Sequence, residues 1–281
     1  MLATLLFQVW NRRKGAEMIP PITSMKGAFS LEGQNAIITG GNRGLGLAIA
    51  KAFAEQGANC AIFCRNMAKA AEALDELKEI GGNHKAYSCD VTDFDSIRKA
   101  IAEVYADYEQ IDILVNNSGI SYNGELLDMD ENLTDWFLTL DTDLNGMVRM
   151  TYEVGKRMRD AGKGGSIINM TSNAAYMVNW SPCMAAYSSA KAAGNHFTRC
   201  MACELAKYDI RVNAIAPGFT TTELAKHIPP EAMGYIEERT VTKRWGEPIE
   251  VGALAVYLAS PAAAQVTGSV HVIDGGYMLR C

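Results

Sequence analysis

From Gly33 to its end, the chain alternates short apolar runs with amphipathic stretches. The runs are Ala36-Ile37-Ile38, Cys60-Ala61-Ile62-Phe63, His84 to Cys89, Ile113-Leu114-Val115, Ser166 to Met170, Ile210 to Ile215 and Ser269 to Ile273. Their length and bounding turn residues read as strands. Between them, apolar residues return at helical spacing over 47–54, 67–80, 94–107, 133–160 and 186–207. Strands with no polar alternation are buried on both faces, which calls for helices above and below a parallel sheet. The expected class is α/β, a single doubly wound parallel sheet of about seven strands. No repeat or second-domain boundary interrupts the pattern, so 30–281 reads as one catalytic domain and 1–29 as an extension and linker.

Composition narrows this picture. The 281 residues are 48% apolar and 21% charged, ordinary for a soluble globular chain. A net charge of −6 gives no basic footprint for nucleic acid or an anionic membrane. Seven scattered cysteines suit a reduced, cytoplasmic setting, and Cys200-x-x-Cys203 reads as buried helix cysteines rather than a zinc or redox pair. No metal constellation is legible. The apolar run 1–10 precedes Asn11-Arg12-Arg13-Lys14, the reverse of a secretory signal, and is too short to span a bilayer. It lies on a membrane surface, docks on the core or is disordered; Met18 and Met25 are alternative starts.

The chemistry begins at Thr39-Gly40-Gly41-Asn42-Arg43-Gly44-Leu45-Gly46, between the first strand and the first helix. In that context Gly40 permits the tight turn, Gly44 lets backbone approach a pyrophosphate and Gly46 lets helix pack on strand. The helix N-terminus then faces the anion. This makes the fold Rossmann-type and the ligand a dinucleotide. About 20 positions on, where an acid would bind an adenosine 2′-hydroxyl, the chain carries Arg65, and Arg43 lies in the turn itself. Two guanidiniums suit a 2′-phosphate, favouring NADP(H) over NAD(H), unless either points into solvent.

Tyr187 and Lys191 stand four residues apart, on one helix face. A tyrosine of pKa about 10 is a poor base at neutral pH. A neighbouring cation favours its phenolate and fits the pair for alcohol–ketone exchange. Ser172, fifteen positions before Tyr187, ends the fifth strand, where a hydroxyl can hold a substrate oxygen. Asn173, Tyr176, Asn179, Trp180 and Cys183 lie between them, lining a pocket or merely packing a loop. His196 and His227 have no acidic partner in sequence and read as structural.

Taken in order, the turn Thr39–Gly46, Asp90-Val91, Asn116-Asn117-Ser118-Gly119, Ser172, Tyr187/Lys191, Arg211-Val212-Asn213, Pro217-Gly218 and Asp274-Gly275-Gly276 resemble the short-chain dehydrogenase/reductase family over about 30–279. The resemblance implies hydride transfer between a nicotinamide and a carbonyl or hydroxyl, in a homotetramer or homodimer. It implies that Tyr187 is the general acid/base, that Ser172 orients the substrate oxygen and that Lys191 binds the nicotinamide ribose. Asp90 and Asn116 would contact the adenosine half, and Val91, Asn117 and Gly119 would join the glycine turn in binding the cofactor. Thr222 would hold the carboxamide, Pro217, Gly218 and Thr220 would also bind the cofactor, and 219–245 would cover the substrate.

Ser118 replaces a common alanine, with little consequence. Asp143 stands where the family carries an asparagine that supports a water chain from the lysine. An ionised Asp accepts but cannot donate those hydrogen bonds, which puts the relay in question; Asn145 is a candidate substitute. The interval from Ser172 to Tyr187 is longer than the family's commonest and resembles sorbose or xylulose reductases and mannitol dehydrogenases. Arg244-Trp245-Gly246 is similar to gluconate 5-dehydrogenases. The expected substrate is a sugar, polyol or sugar acid. A 3-oxoacyl-thioester reductase, a hydroxysteroid dehydrogenase and a non-catalytic NADP(H)-sensing scaffold are the alternatives.

Overall fold

The computed structural model describes residues 22–122, 124–178, 184–223 and 230–279. Asn179, Trp180, Cys183 and His227 of the sequence reading lie outside them, as does 1–21. The strands are β1 (Asn35–Thr39), β2 (Asn59–Cys64), β3 (Lys85–Ser88), β4 (Ile113–Asn116), β5 (Gly165–Met170), β6 (Ile210–Pro217) and β7 (Val270–Ile273). All pair in parallel, in the order β3-β2-β1-β4-β5-β6-β7. The order reverses between β1 and β4, and in open sheets of this kind a ligand crevice lies at that point, outside the strands' carboxyl ends.

Eight helices flank the sheet among the described residues: α1 (Gly44–Glu55), α2 (Met67–Lys78), α3 (Phe94–Tyr108), α4 (Thr134–Leu140), α5 (Gly146–Ala161), α6 (Ala185–Leu205), α7 (Pro230–Arg239) and α8 (Pro248–Ala259). Strand β1 shows why both faces need cover. Ala36, Ile37 and Ile38 are all fully buried. Successive side chains point to opposite faces, so Ala36 and Ile38 join Phe53 of α1 and Leu258 of α8, whereas Ile37 joins Ile97 and Ile101 of α3 and Val154 of α5. Burying one such side chain contributes roughly 1.5–3 kcal/mol.

Four details differ from the sequence expectation. The helix expected over 133–160 is broken by a π-helical turn, Asp141–Asn145, between α4 and α5. Helices α7 and α8 were not visible in the pattern, because α8 is apolar nearly all round and lacks a polar stripe. Cys200 and Cys203 are exposed on the outer face of α6, which corrects their reading as buried. The folded body also reaches into the expected linker. Ala28 is buried and accepts a hydrogen bond from the Ala262 amide at 2.9 Å, and the Phe29 ring centroid lies 6.2 Å from that of Tyr257.

Candidate active site

The glycine turn is held from behind by its own first residue, to which the sequence reading assigned no role. Thr39 ends β1 and is buried. Its Oγ1 accepts the backbone N–H groups of Asn117 and Ser118, both at 2.9 Å. Asn117 Nδ2 donates in return to the carbonyls of Thr39 (2.9 Å) and Gly40 (3.3 Å). Gly40 and Gly44 have φ of +63° and +55°, a left-handed backbone open to glycine. At Gly46, a Cβ would stand 2.3 Å from the Gly40 carbonyl oxygen and 2.6 Å from Asn117 Nδ2, so only glycine lets α1 close on the turn.

Outside the turn lies a recess of about 290 Å³, lined by Asn42, Arg43, Gly44 and Thr222, with Lys69 and Glu72 from α2. Lys69 is a cation the sequence reading did not consider. Arg43 is exposed, and Arg65 reaches Asp90 Oδ2 at 3.8 Å with 70% of its side chain exposed. Asp90 Oδ1 accepts from the amide and the hydroxyl of Thr92 at 2.9 and 2.8 Å. Partial burial opposes ionisation there, but these two hydrogen bonds, helped by Arg65, hold the carboxyl below the usual range. Val91 is buried against Gly146, and Leu45 packs into the core. Asn116 turns inward and donates to Thr151 (3.0 Å) and Asn169 (2.9 Å), joining β4, α5 and β5.

The chemistry lies at the ends of β4 and β5. Lys191 is buried, and its Nζ donates to the Met170 carbonyl at 3.0 Å. It also lies 3.0 Å from Asp143 Oδ2 and 5.4 Å from the centroid of the half-buried Tyr187 ring, one turn back on α6. Oδ2 receives no well-aligned hydrogen bond, so its contact with the ammonium is ionic. Burial alone would depress the Lys191 ammonium; the Asp143 carboxylate outweighs it, with help from Tyr187, and the net direction is upward. Ser172 follows β5 and opens the 3₁₀ turn Asn173–Ala175, against which α6 packs. Its Oγ accepts from the Ala174 amide at 3.1 Å and faces Asn173 Oδ1 at 3.4 Å.

Beyond β6, Pro217 closes the strand and Gly218 presses on Asp274, where a Cβ would come within 2.5 Å of that residue's own. Thr220 pairs with Gly246 in an isolated parallel bridge and donates to the Gly218 carbonyl at 3.2 Å. Thr222 lies against the glycine turn, 4.0 Å from where a Gly44 Cβ would be. Gly119 backs the Asp143–Lys191 pair. His196 is exposed, and no group of metal-ligating side chains occurs among the described residues. Nor is any helix among them long and apolar enough to cross a membrane.

A glycine cradle at the topological reversal, beside a tyrosine–lysine pair and a serine at the next strand end, defines a nicotinamide-dependent oxidoreductase of the Rossmann type. A family model described as enoyl-(acyl carrier protein) reductase matches residues 40–278, and the chain belongs to the short-chain dehydrogenase/reductase family. It is 36% identical over 250 residues to a sorbose reductase of Candida albicans, covering 89% of this chain and 88% of that one. It is 38% identical over 256 residues to a D-threitol dehydrogenase of Mycolicibacterium smegmatis, covering 90% and 95%. Among solved structures, a gluconate 5-dehydrogenase from Burkholderia cenocepacia in complex with NADP and tartrate superposes with a TM-score of 0.84 at 33% identity, covering 90% of this chain and 98% of that one. The protein is an alcohol/ketone oxidoreductase, and its fold binds a nicotinamide cofactor.

Proposed function

We propose that the protein is an NADP(H)-dependent reductase/dehydrogenase of a small polyhydroxylated ketone or secondary alcohol, of the sugar, polyol or sugar-acid type. The observation that carries this reading is the placement of the Lys191 ammonium at the Met170 carbonyl and under the Tyr187 ring, at the end of the strand that Ser172 follows. The names of the relatives support the substrate class. Arg43 in the glycine turn and the exposed Arg65 support the phosphorylated cofactor, whereas Lys69 shares its recess with Glu72, Glu76 and Glu223.

The nicotinamide, when bound, supplies or accepts hydride at the substrate carbon. Ser172 Oγ turns its hydrogen from Asn173 to the substrate oxygen and fixes that oxygen beside the phenol. In the reductive direction Tyr187 gives its proton to that oxygen, and solvent restores it. Lys191 favours the transient phenolate and holds the ribose. Gly40 and Gly44 would leave room for the pyrophosphate while Gly46 lets α1 close on the turn, and Asn42, Leu45 and the α1 N-terminus would surround it. Asp90, Val91, Asn117 and Gly119 would border the adenosine side, with the inward-turned Asn116 tying β4 to α5 and β5 behind them, and Pro217, Gly218, Thr220 and Thr222 would border the carboxamide side. The working form is a cytoplasmic homotetramer or homodimer, with 30–281 as its catalytic domain.

The test is oxidation of NADPH and NADH, in parallel, against fructose, sorbose, xylulose, 5-ketogluconate, an acetoacetyl thioester and a ketosteroid. The expected result is an NADPH-dependent rate with a ketose or keto acid, cut by about 10²–10⁴-fold in Tyr187→Phe with cofactor affinity kept. Preference for NADH, or turnover of the thioester or steroid alone, would overturn it. Tight NADPH binding with no turnover anywhere would mark a cofactor-sensing scaffold.

A further inference from the structure

At one position the site departs from its family's pattern, and the structure shows what the departure builds. Asp143 sits in the π-turn, where the extra residue in the helical turn brings its side chain inward. Asp143 Oδ1 accepts the Ile120 amide at 2.8 Å, while Oδ2 meets the Lys191 ammonium at 3.0 Å. The two side chains are 0% and 5% exposed. Gly119 seals them, since a Cβ there would lie 2.9 Å from Oδ2 and 3.4 Å from Nζ. Asn145, the other candidate for the family's asparagine role, is exposed and donates to Asp141 at 3.1 Å, away from the lysine.

The ammonium therefore carries a resident counter-charge. A lone cation beside a phenol favours the phenolate; an anion that shares the cation cancels part of that effect. We propose that Asp143 is a positioning residue, the built-in counter-ion of Lys191, which fixes the ammonium against the Met170 carbonyl and offsets part of its pull on the Tyr187 phenol. The inference rests on Tyr187 as the proton donor of the proposed function. Among the described residues, the charged or titratable groups facing the ammonium are Asp143 from the π-turn and Tyr187 from α6 itself. The end of β5 faces it with the Met170 carbonyl, and the loop after β4 with Gly119.

The test is an ultraviolet titration of the phenol, taken as the difference between each protein and its Tyr187→Phe counterpart, with no substrate or cofactor present. Asp143→Asn is expected to move the midpoint down by about one pH unit, and Asp143→Glu to stay near the parent. The pH profile of ketone reduction should move with it. An unmoved phenol overturns the inference, including the case in which Lys191 loses its proton instead. Should Asp143→Asn be too unstable to titrate, urea unfolding of Asp143→Asn, Lys191→Met and the double variant decides. A counter-ion makes the double variant more stable than Lys191→Met, because no lone buried carboxylate remains; additive losses overturn the inference. Because the titration uses neither cofactor nor substrate, its failure is distinct from a wrong substrate class or cofactor preference.

Discussion

At the scale of single residues, close contact between backbones constrains the site most tightly. Gly46 is the sharpest case, with its missing Cβ facing the Gly40 oxygen at 2.3 Å. Gly46→Ala is expected to push α1 off the turn, weaken NADPH at least about tenfold, or roughly 1.4 kcal/mol, and lower stability by about 1–3 kcal/mol. Fluorescence titration and urea unfolding check the two effects, and unchanged affinity would contradict the cradle geometry. The glycines, Tyr187, Lys191 and Ser172 were legible because each carries its role in its own chemistry and spacing. Thr39 was not: its function is to receive two amides from residues far along the chain, and nothing local in Ile38-Thr39-Gly40 announces that partner. Asp143 was legible as a departure, but its ion pair was not. The pairing depends on a π-turn that a 3.6-residue period cannot display.

At the scale of elements, α8 shows how a helix can be missed and yet be firmly specified. Its apolar positions encircle the axis, so no stripe identifies it, but its start is well marked. Pro248 occupies the first turn and Glu250 accepts the Glu247 amide at 2.8 Å. Arg244 grips the same carboxylate at 2.8 Å, and Thr221 donates to Glu247 at 2.6 Å, so this helix start is bound to the segment after β6. That settles what Arg244 of the Arg-Trp-Gly sequence touches in this fold. The hydrogen bond from Arg244, with the Glu247 amide behind it, lowers the Glu250 carboxyl from 4.5 to about 2. Its stabilisation is therefore complete above pH 4.5 and is lost as pH falls toward 2. Glu250→Gln is expected to lower stability by about 0.5 kcal/mol at pH 7, a small effect because the pair is solvent-screened. Thermal unfolding of the variant and its parent should converge as pH drops through that window. A gap that persists at the acid end would mean that the carboxylate's charge is not what matters.

For the whole molecule, the seven-strand parallel sheet followed from the sequence because parallel strands lose their polar alternation. Which residues stay outside followed less well, and the cysteines show why. Cys60 and Cys89 are sealed in the two opposite cores, and burial pushes each thiol up to about 12. Cys200 and Cys203 belong to the same helix as Lys191, but three residues cover most of one turn, and both fall on the face turned away from the sheet. A thiol reagent at neutral pH is expected to label Cys200 and Cys203 in the native protein and to reach Cys60 and Cys89 only on unfolding, as read by peptide mass spectrometry. Equal labelling of all four would contradict the packing described.

The pairing of β1 with β4 also sets an order of events in time. After Thr39 leaves the ribosome, 78 more residues must follow before the Asn117 amide that completes its turn emerges. At about 5–20 residues per second, the wait is roughly 4 to 16 s. Until then β1 can pair with β2, but its other edge stays open, and the glycine cradle has no Asn117 behind it. The nascent β1–β2 pair is thus a bare strand edge without a cofactor site, and ligand can assist folding only after β4 and Asn117 have arrived.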